Sequence, residues 1–177
     1  ETHLASLQAL EVYDEVAAGF EAITGRANPA VECYRTEDAE FVFVMMGAFA
    51  TKARQAVDQL REAGWPIGLV RPRLFRPFPE AKIRQALDGK KGAAVIDQNI
   101  SFGRGGVLYM ELASSLLGRP EMPTIVLSFI GGLGGRAVLA MAAAADERDQ
   151  LPLRQRLPEL IGQRHAGHQR DVLAYRR

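Results

Sequence analysis

The segment VIDQNISFGRGG, residues 95–106, leads from an apolar strand pattern through a glycine-rich turn into an apolar helix pattern, and FIGGLGGR, residues 129–136, repeats this arrangement. In an open α/β sheet, ligands and partner domains bind at the carboxyl ends of the strands, where such strand-to-helix turns lie. The two segments therefore predict an α/β fold whose functional surface is formed by these turns.

Four apolar segments recur at the spacing of βαβ units. Short runs rich in β-forming residues predict strands that start near residues 41, 67, 93 and 124. Helical patterns lie between and after these strands, at residues 51–64, 79–89, 104–118 and 136–145. Apolar strands flanked by amphipathic helices predict a three-layer α/β/α domain with a mainly parallel sheet.

The chain divides into three regions by pattern and charge. Residues 1–40 predict an amphipathic helix over 4–23 and an extended connector that contributes a short strand at 31–34. Residues 41–147 carry the α/β pattern. Residues 148–177 form a basic tail with seven arginines and three acidic residues, which leaves the preceding part slightly acidic.

Composition narrows the function classes. The 177 residues are 47% hydrophobic and 24% charged with a net charge of +1, as expected of one globular domain and not of a nucleic-acid binder. The apolar run at 41–50 has about half the length needed to cross a bilayer, so no membrane span is expected. Cys33 is the sole cysteine, which excludes a disulfide framework and favours a cytoplasmic setting. Because the sequence starts at Glu1, we expect a segment of a longer protein.

The second glycine turn presents two interpretations. Gly131, Gly132, Gly134 and Gly135 allow close backbone approach, and Arg136 begins a helix whose free N–H groups favour anions. The spacing differs from the G-x-G-x-x-G dinucleotide fingerprint, and no ribose-binding acid follows. Close packing between the strand and the helix, or between domains, is therefore favoured over an independent anion site.

The first glycine turn also offers polar candidates. Ser101 is a candidate helix-capping hydroxyl, Gly103 supports an unusual backbone path, and Arg104 is a candidate partner for an anion or a carboxylate. Asp97, at the end of a strand, is expected to cap or to bind neighbouring turn amides in preference to acting in catalysis.

Other charged residues are open to two readings. Arg71 and Arg73 fall on one side of a strand and Arg76 in the following loop, where they could hold a carboxylate of another subunit or form ion pairs at the rim of the sheet. His165 and His168 lie in the tail without an acid or a cysteine beside them to complete a metal site, and no hydrolytic triad is predicted.

Five motifs, in this order, resemble the C-terminal part of the α subunit of pyruvate:ferredoxin oxidoreductases and related 2-oxoacid:ferredoxin oxidoreductases. The resemblance covers about residues 10–140. The motifs are FEAITGR, YRTEDAE, MMGAFATKARQAVDQLREAGWPIGLVRPRLFRPFP, VIDQNISFGRGG and GGLGGR. The family usually has an acid after GGLGGR, whereas this chain has Ala137, so a cap or ion pair made by that acid is absent here.

This resemblance implies a transketolase C-terminal-like domain within a larger enzyme. The family oxidatively decarboxylates a 2-oxoacid with thiamine diphosphate, passes electrons through iron–sulfur clusters to ferredoxin and forms acyl-coenzyme A. It implies that this chain alone binds no cofactor and that thiamine diphosphate, iron–sulfur clusters and coenzyme A are bound by other parts of the complex.

The resulting prediction is a non-catalytic domain that supports assembly and the active site of the enzyme, with other domains or subunits, or a second copy, as its partners. The predicted interface or anion-binding residues are Ser101, Gly103, Arg104, Gly131, Gly132, Gly134, Gly135 and Arg136. The alternative is a free-standing module that binds a phosphate-bearing ligand with the GGLGGR loop.

Overall fold

The computed structural model describes residues 1–133. The chain forms two compact units, Glu1–Gly131 and Gly132–Arg177, and the first contains every described helix and strand. In chain order these are α1 (Thr2–Thr24), β1 (Val31–Tyr34), β2 (Phe41–Met45), α2 (Gly47–Glu62), β3 (Ile67–Pro72), α3 (Glu80–Leu87), β4 (Gly92–Asp97), α4 (Val107–Leu116) and β5 (Ile125–Ile130). The predicted helix at 136–145 and the tail lie outside the described residues.

The five strands form one sheet in the order β1-β3-β2-β4-β5. Strands β3, β2, β4 and β5 are parallel to one another, and they begin within one residue of the predicted positions. The predicted strand at 31–34 also forms, and it pairs antiparallel to β3 with Glu32 opposite Arg71. The prediction of a mainly parallel α/β sheet is confirmed.

Helices cover both faces of the sheet because strand side chains alternate in direction. Val42 and Val44 of β2 pack with Ile83 of α3 and Leu112 of α4 in one buried cluster. On the opposite face, Leu69 of β3 packs with the small residues of α2 in a second cluster. The protein is therefore a three-layer α/β/α fold, as predicted.

Helix α1 differs from the rest of the fold. It spans the predicted range and ends at Gly25, whose φ of 68° provides a left-handed cap. Its apolar side chains, including Leu4, Val16 and Ile23, are exposed, and none of its residues is buried. It is joined to the connector by the Tyr13–Asn28 hydrogen bonds and to α3 by the Asp14–Lys82 ion pair. No helix in residues 1–133 is long and apolar enough to span a membrane.

Helices α2 and α4 do not begin at the predicted residues, because glycines with positive φ angles set where each helix starts. Helix α2 begins at Gly47, whose φ of 69° turns the chain directly out of β2, four residues before the predicted start. Helix α4 begins at Val107 and not at 104, because Gly103 and Gly105 have positive φ angles and hold the preceding residues in a tight turn. Both glycine-led starts lie at the carboxyl edge of the sheet.

Candidate interface at the carboxyl edge of the sheet

The connections of the sheet create a crevice between β2 and β4. After β2 the chain crosses to β3 on one side, and after β3 it returns to β4 on the other side of β2. In open α/β sheets, the site where the strand order reverses in this way is where ligands and partners bind. The turn at Gly47 and the loop at 98–106 flank this crevice, and the amide of Gly131, after β5, donates to the carbonyl of Asp97 at 2.8 Å.

The loop before α4 is a tight turn fixed by backbone hydrogen bonds. The Ser101 amide donates to the Gly105 carbonyl at 2.8 Å, and the amides of Arg104 and Gly105 donate to the Ser101 carbonyl at 2.9 and 3.0 Å. Gly103 and Gly105 adopt φ angles of 76° and 122°, which L side chains rarely adopt. The turn presents Phe102, whose relative exposure is 93%, to solvent.

Two side chains occupy the N-terminus of α4. Asn99 Oδ1 accepts from the Val107 amide at 3.2 Å, and the two carboxylate oxygens of Asp97 accept from the amides of Leu108 and Tyr109 at 2.9 and 3.1 Å. The expectation that Asp97 acts as a cap is confirmed, since the amides that it binds belong to α4. The prediction that Ser101 caps the helix is wrong, because the side chains of Asp97 and Asn99 accept from the first amides of α4. The D-x-N spacing at the end of β4 is the sequence pattern that indicates these caps.

Gly106 is required by the position of Asp97. A Cβ atom on residue 106 would lie 2.0 Å from Asp97 Oδ2 and 2.4 Å from its Cγ, although the φ of −70° suits any residue. Burial raises the pKa of Asp97 above its ordinary value, and the hydrogen bonds from the Leu108 and Tyr109 amides partly oppose this effect. Since the first amides of α4 already have partners, this helix end offers no open site for an anion.

The three arginines after α2 form ion pairs at the rim of the sheet, as one of the two interpretations predicts. Arg71 and Arg73 both lie beside Glu32, whereas Arg76 pairs with Glu111 at 2.6 Å. Arg54 of α2 also pairs with Glu32. Glu32 was not predicted as a partner of these arginines, because only the antiparallel pairing of β1 with β3 brings it opposite Arg71.

Several remaining predicted residues are only partly described. Gly131 is buried, and Gly132 adopts a φ of 79°, in keeping with a turn that needs glycine. Arg104 makes no ion pair with any residue of 1–133. Gly134, Gly135, Arg136, His165 and His168 lie outside the described residues. Within the part of the chain that is described, no group of three His, Cys, Asp or Glu residues is placed to hold a metal.

Comparison with known proteins assigns this arrangement to a family. Residues 39–142 match the family described as pyruvate:ferredoxin oxidoreductase core domain II. Pyruvate synthase subunit PorA of Pyrococcus abyssi is 40% identical over 130 residues, which are 73% of this chain and 33% of that protein. PorA of Methanothermobacter thermautotrophicus is 38% identical over 128 residues, 72% of this chain and 32% of that protein.

A related oxidoreductase is similarly close. Ketoisovalerate oxidoreductase subunit VorA of Pyrococcus horikoshii is 38% identical over 130 residues, 73% of this chain and 33% of that protein. The chain spans about a third of the length of the curated relatives it matches. The family match covers more than half of the chain and includes the sheet from β2 onward together with the loop before α4. The chain therefore belongs to the pyruvate:ferredoxin oxidoreductase core domain II family.

Proposed function

We propose that this chain is the C-terminal α/β domain of the α component of a thiamine-dependent 2-oxoacid:ferredoxin oxidoreductase of the pyruvate type. The identity of 40% to a subunit named pyruvate synthase PorA is the observation that carries this proposal. The similar identity to a ketoisovalerate oxidoreductase subunit supports the broader 2-oxoacid class. In this role the domain supports assembly and the active site for oxidative decarboxylation to acyl-coenzyme A.

A supporting role fits the chemistry of the carboxyl edge. The polar groups there are used within the chain: Asp97 and Asn99 hold the first amides of α4. What the edge offers outward is Phe102, on a turn whose shape is fixed by its own backbone. A rigid, exposed aromatic ring is the kind of residue that anchors protein interfaces, because its burial removes a large apolar surface from water at little cost in side-chain entropy.

The cofactors of the reaction belong to other parts of the enzyme in this proposal. An iron–sulfur cluster of the ferredoxin type needs four cysteine thiolates, and this sequence has one cysteine. Thiamine diphosphate and coenzyme A are likewise assigned to the remaining domains, and ferredoxin to the complete complex in the cytoplasm. The domain itself contributes contacts with the remaining domains or subunits, or with a second copy.

The interface role is tested with Phe102→Ala in the full-length subunit assembled into the enzyme. We expect weaker assembly in size-exclusion chromatography and lower thiamine-dependent reduction of ferredoxin, because the variant removes an anchor without altering the buried part of the loop. Leu117→Ala is the matched control, since Leu117 is also exposed but lies at the opposite end of α4. Equal assembly of both variants would argue against the role of this turn.

The alternative of a phosphate-ligand module is tested on the 177-residue chain. Calorimetry with coenzyme A, thiamine diphosphate and nucleotides separates the two functions. Submicromolar binding that is lost in Arg136→Ala favours the module, whereas an absence of tight binding favours the supporting domain.

A further inference from the structure

Three arginines surround one buried carboxylate at the carboxyl end of β3. Glu32 of β1 is 8% exposed and lies opposite Arg71 of β3. Its Oε1 accepts from Arg54 of α2, and its Oε2 accepts from Arg73, just after β3, with the Arg71 guanidinium 3.6 Å away. Helix α2 and the end of β3 therefore bring three guanidinium groups to one carboxylate.

The charges of this cluster do not balance. Three guanidinium groups and one carboxylate leave an excess of two positive charges. Among the described residues, Asp58 does not remove this excess, because it is already paired with Arg35 at 2.9 Å and accepts from the Tyr34 hydroxyl at 3.0 Å. An excess of this size at a partly buried position favours the binding of an anion.

Hydrogen-bond donors of the cluster also lack partners. Arg73 Nε is buried and makes no hydrogen bond within residues 1–133. The guanidinium nitrogens of Arg71 make no hydrogen bond to a described residue, and the Arg54 side chain is 44% exposed, so the cluster is open to solvent. The Tyr34 ring, 4.8 Å from the Arg54 guanidinium, helps to hold that side chain in place.

We propose that Arg54, Arg71 and Arg73 form a binding site for a phosphoryl group, either as free phosphate or as a small phosphate monoester, and that Glu32 positions the three arginines. The site lies at the same edge of the sheet as the β2–β4 crevice, next to β2 on the side of β3. It uses residues that the interface at Phe102 does not.

The phosphoryl class follows from charge and access. A phosphate monoester carries about −1.5 to −2 charges near neutral pH, which matches the excess of two, whereas a single carboxylate would leave one charge unbalanced. The planar fork of each arginine suits a tetrahedral oxyanion with several acceptor oxygens. Because Arg71 and Arg73 are 17% and 24% exposed, the group that reaches them must be small.

The test is a titration of the 177-residue chain with inorganic phosphate at constant ionic strength, followed by phosphorus NMR or calorimetry. We expect saturable binding that is about tenfold weaker in Arg54→Ala, since one charge-assisted donor is lost. Lys52→Ala is the matched control, because it removes one exposed positive charge from the same helix and should bind phosphate as the wild type does. A second titration with glycerol 3-phosphate distinguishes a free ion from a monoester.

Titrations of the Arg54 variants, and of wild type with succinate, can contradict the proposal. Non-saturable binding, or equal binding by wild type, Arg54→Ala and Arg54→Lys, would overturn it; the lysine variant keeps the charge and guards against loss of fold in the alanine variant. Succinate that binds as tightly as phosphate would assign the cluster to carboxylates, and the phosphoryl site would be wrong. Neither result depends on assembly of the oxidoreductase.

Discussion

Glu32 and Asp97 are both buried carboxylates at the carboxyl edge of the sheet, 8% and 3% exposed, yet the protein uses them in opposite ways. Burial opposes the charge of Glu32, but the hydrogen bond and charges of its arginine neighbours outweigh burial and lower its pKa. Within residues 1–133, the hydrogen-bond partners of the Asp97 carboxylate are backbone amides, and its burial raises its pKa. One carboxylate therefore holds three arginine side chains in a charged cluster, whereas the other fixes the backbone of a loop.

The largest expected effect is that of Gly106→Ala, which tests whether Asp97 fixes the backbone of the loop before α4. Gly106→Ala places a methyl group 2.0 Å from Asp97 Oδ2, so the carboxylate must leave the α4 amides. We expect a loss of about 3 kcal/mol in the free energy of unfolding, measured in urea, from overpacking and the lost caps.

The matched control for this variant is Gly19→Ala in α1, where an added Cβ meets nothing within 4 Å. Alanine there should stabilise the protein slightly, because glycine is unfavourable inside a helix. Equal effects of the two variants would show that Asp97 leaves room at residue 106 and that the account of the loop is wrong.

The next effect tests the charged cluster. Glu32→Gln removes the carboxylate that three arginines share, and we expect a loss of about 2–3 kcal/mol in the free energy of unfolding, less than for a fully buried pair because Arg54 reaches solvent. Glu111→Gln, which breaks the more exposed pair with Arg76, should cost about 1 kcal/mol or less. Urea unfolding of both variants measures the difference, and similar losses would contradict a special role for Glu32.

A smaller effect is expected for Asp97→Asn. Asparagine keeps one oxygen acceptor for the Leu108 or Tyr109 amide and removes a buried charge, but its NH₂ group faces the other amide. We expect a net loss of about 1 kcal/mol in the free energy of unfolding. A loss as large as that of Gly106→Ala would indicate that Asp97 does more than cap the helix.

The smallest expected effect is a difference between Glu32 and Asp97 in how their contributions to stability depend on pH. The lowered pKa of Glu32 means that its contribution to stability is present above the unfolded pKa, near 4, and is lost as pH falls through the folded pKa. The raised pKa of Asp97 means that its contribution is present below the unfolded pKa and is lost as pH rises through the folded value.

The free energy of unfolding, measured between about pH 3 and pH 7, distinguishes the contributions that the two carboxylates make to stability. The stability gap between wild type and Glu32→Gln should narrow on acidification, whereas the gap between wild type and Asp97→Asn should widen. Two gaps that move in the same direction would remove the contrast between the cluster and the cap.

Local patterns predicted most of the fold. The strands from β2 onward follow from short apolar runs and the end of α1 from Gly25, because these features depend on neighbouring residues. Helix α2 begins at Gly47, four residues before its predicted start. The start of α4 was misplaced, since the helical pattern continues into a turn that Gly103 and Gly105 hold open.

The site was less predictable because it depends on distant pairs. Glu32 and Arg73 are 41 residues apart, and only the antiparallel β1–β3 pairing joins them. The capping role of Asp97 was foreseen, but its partner Asn99 was not, because Ser101 is an equally good capping residue by type. The need for glycine at 106 is visible only once the Asp97 carboxylate is placed.

We propose that this domain supports a 2-oxoacid:ferredoxin oxidoreductase and breaks no bond itself. The most direct measurement is pyruvate-dependent and thiamine-dependent reduction of ferredoxin by the remaining parts of the enzyme, with and without the 177-residue chain, and by the chain alone. We expect no turnover by the chain alone and higher ferredoxin reduction by the remaining parts of the enzyme when the chain is added. Turnover by the isolated chain, or activity unchanged by its addition, would contradict it.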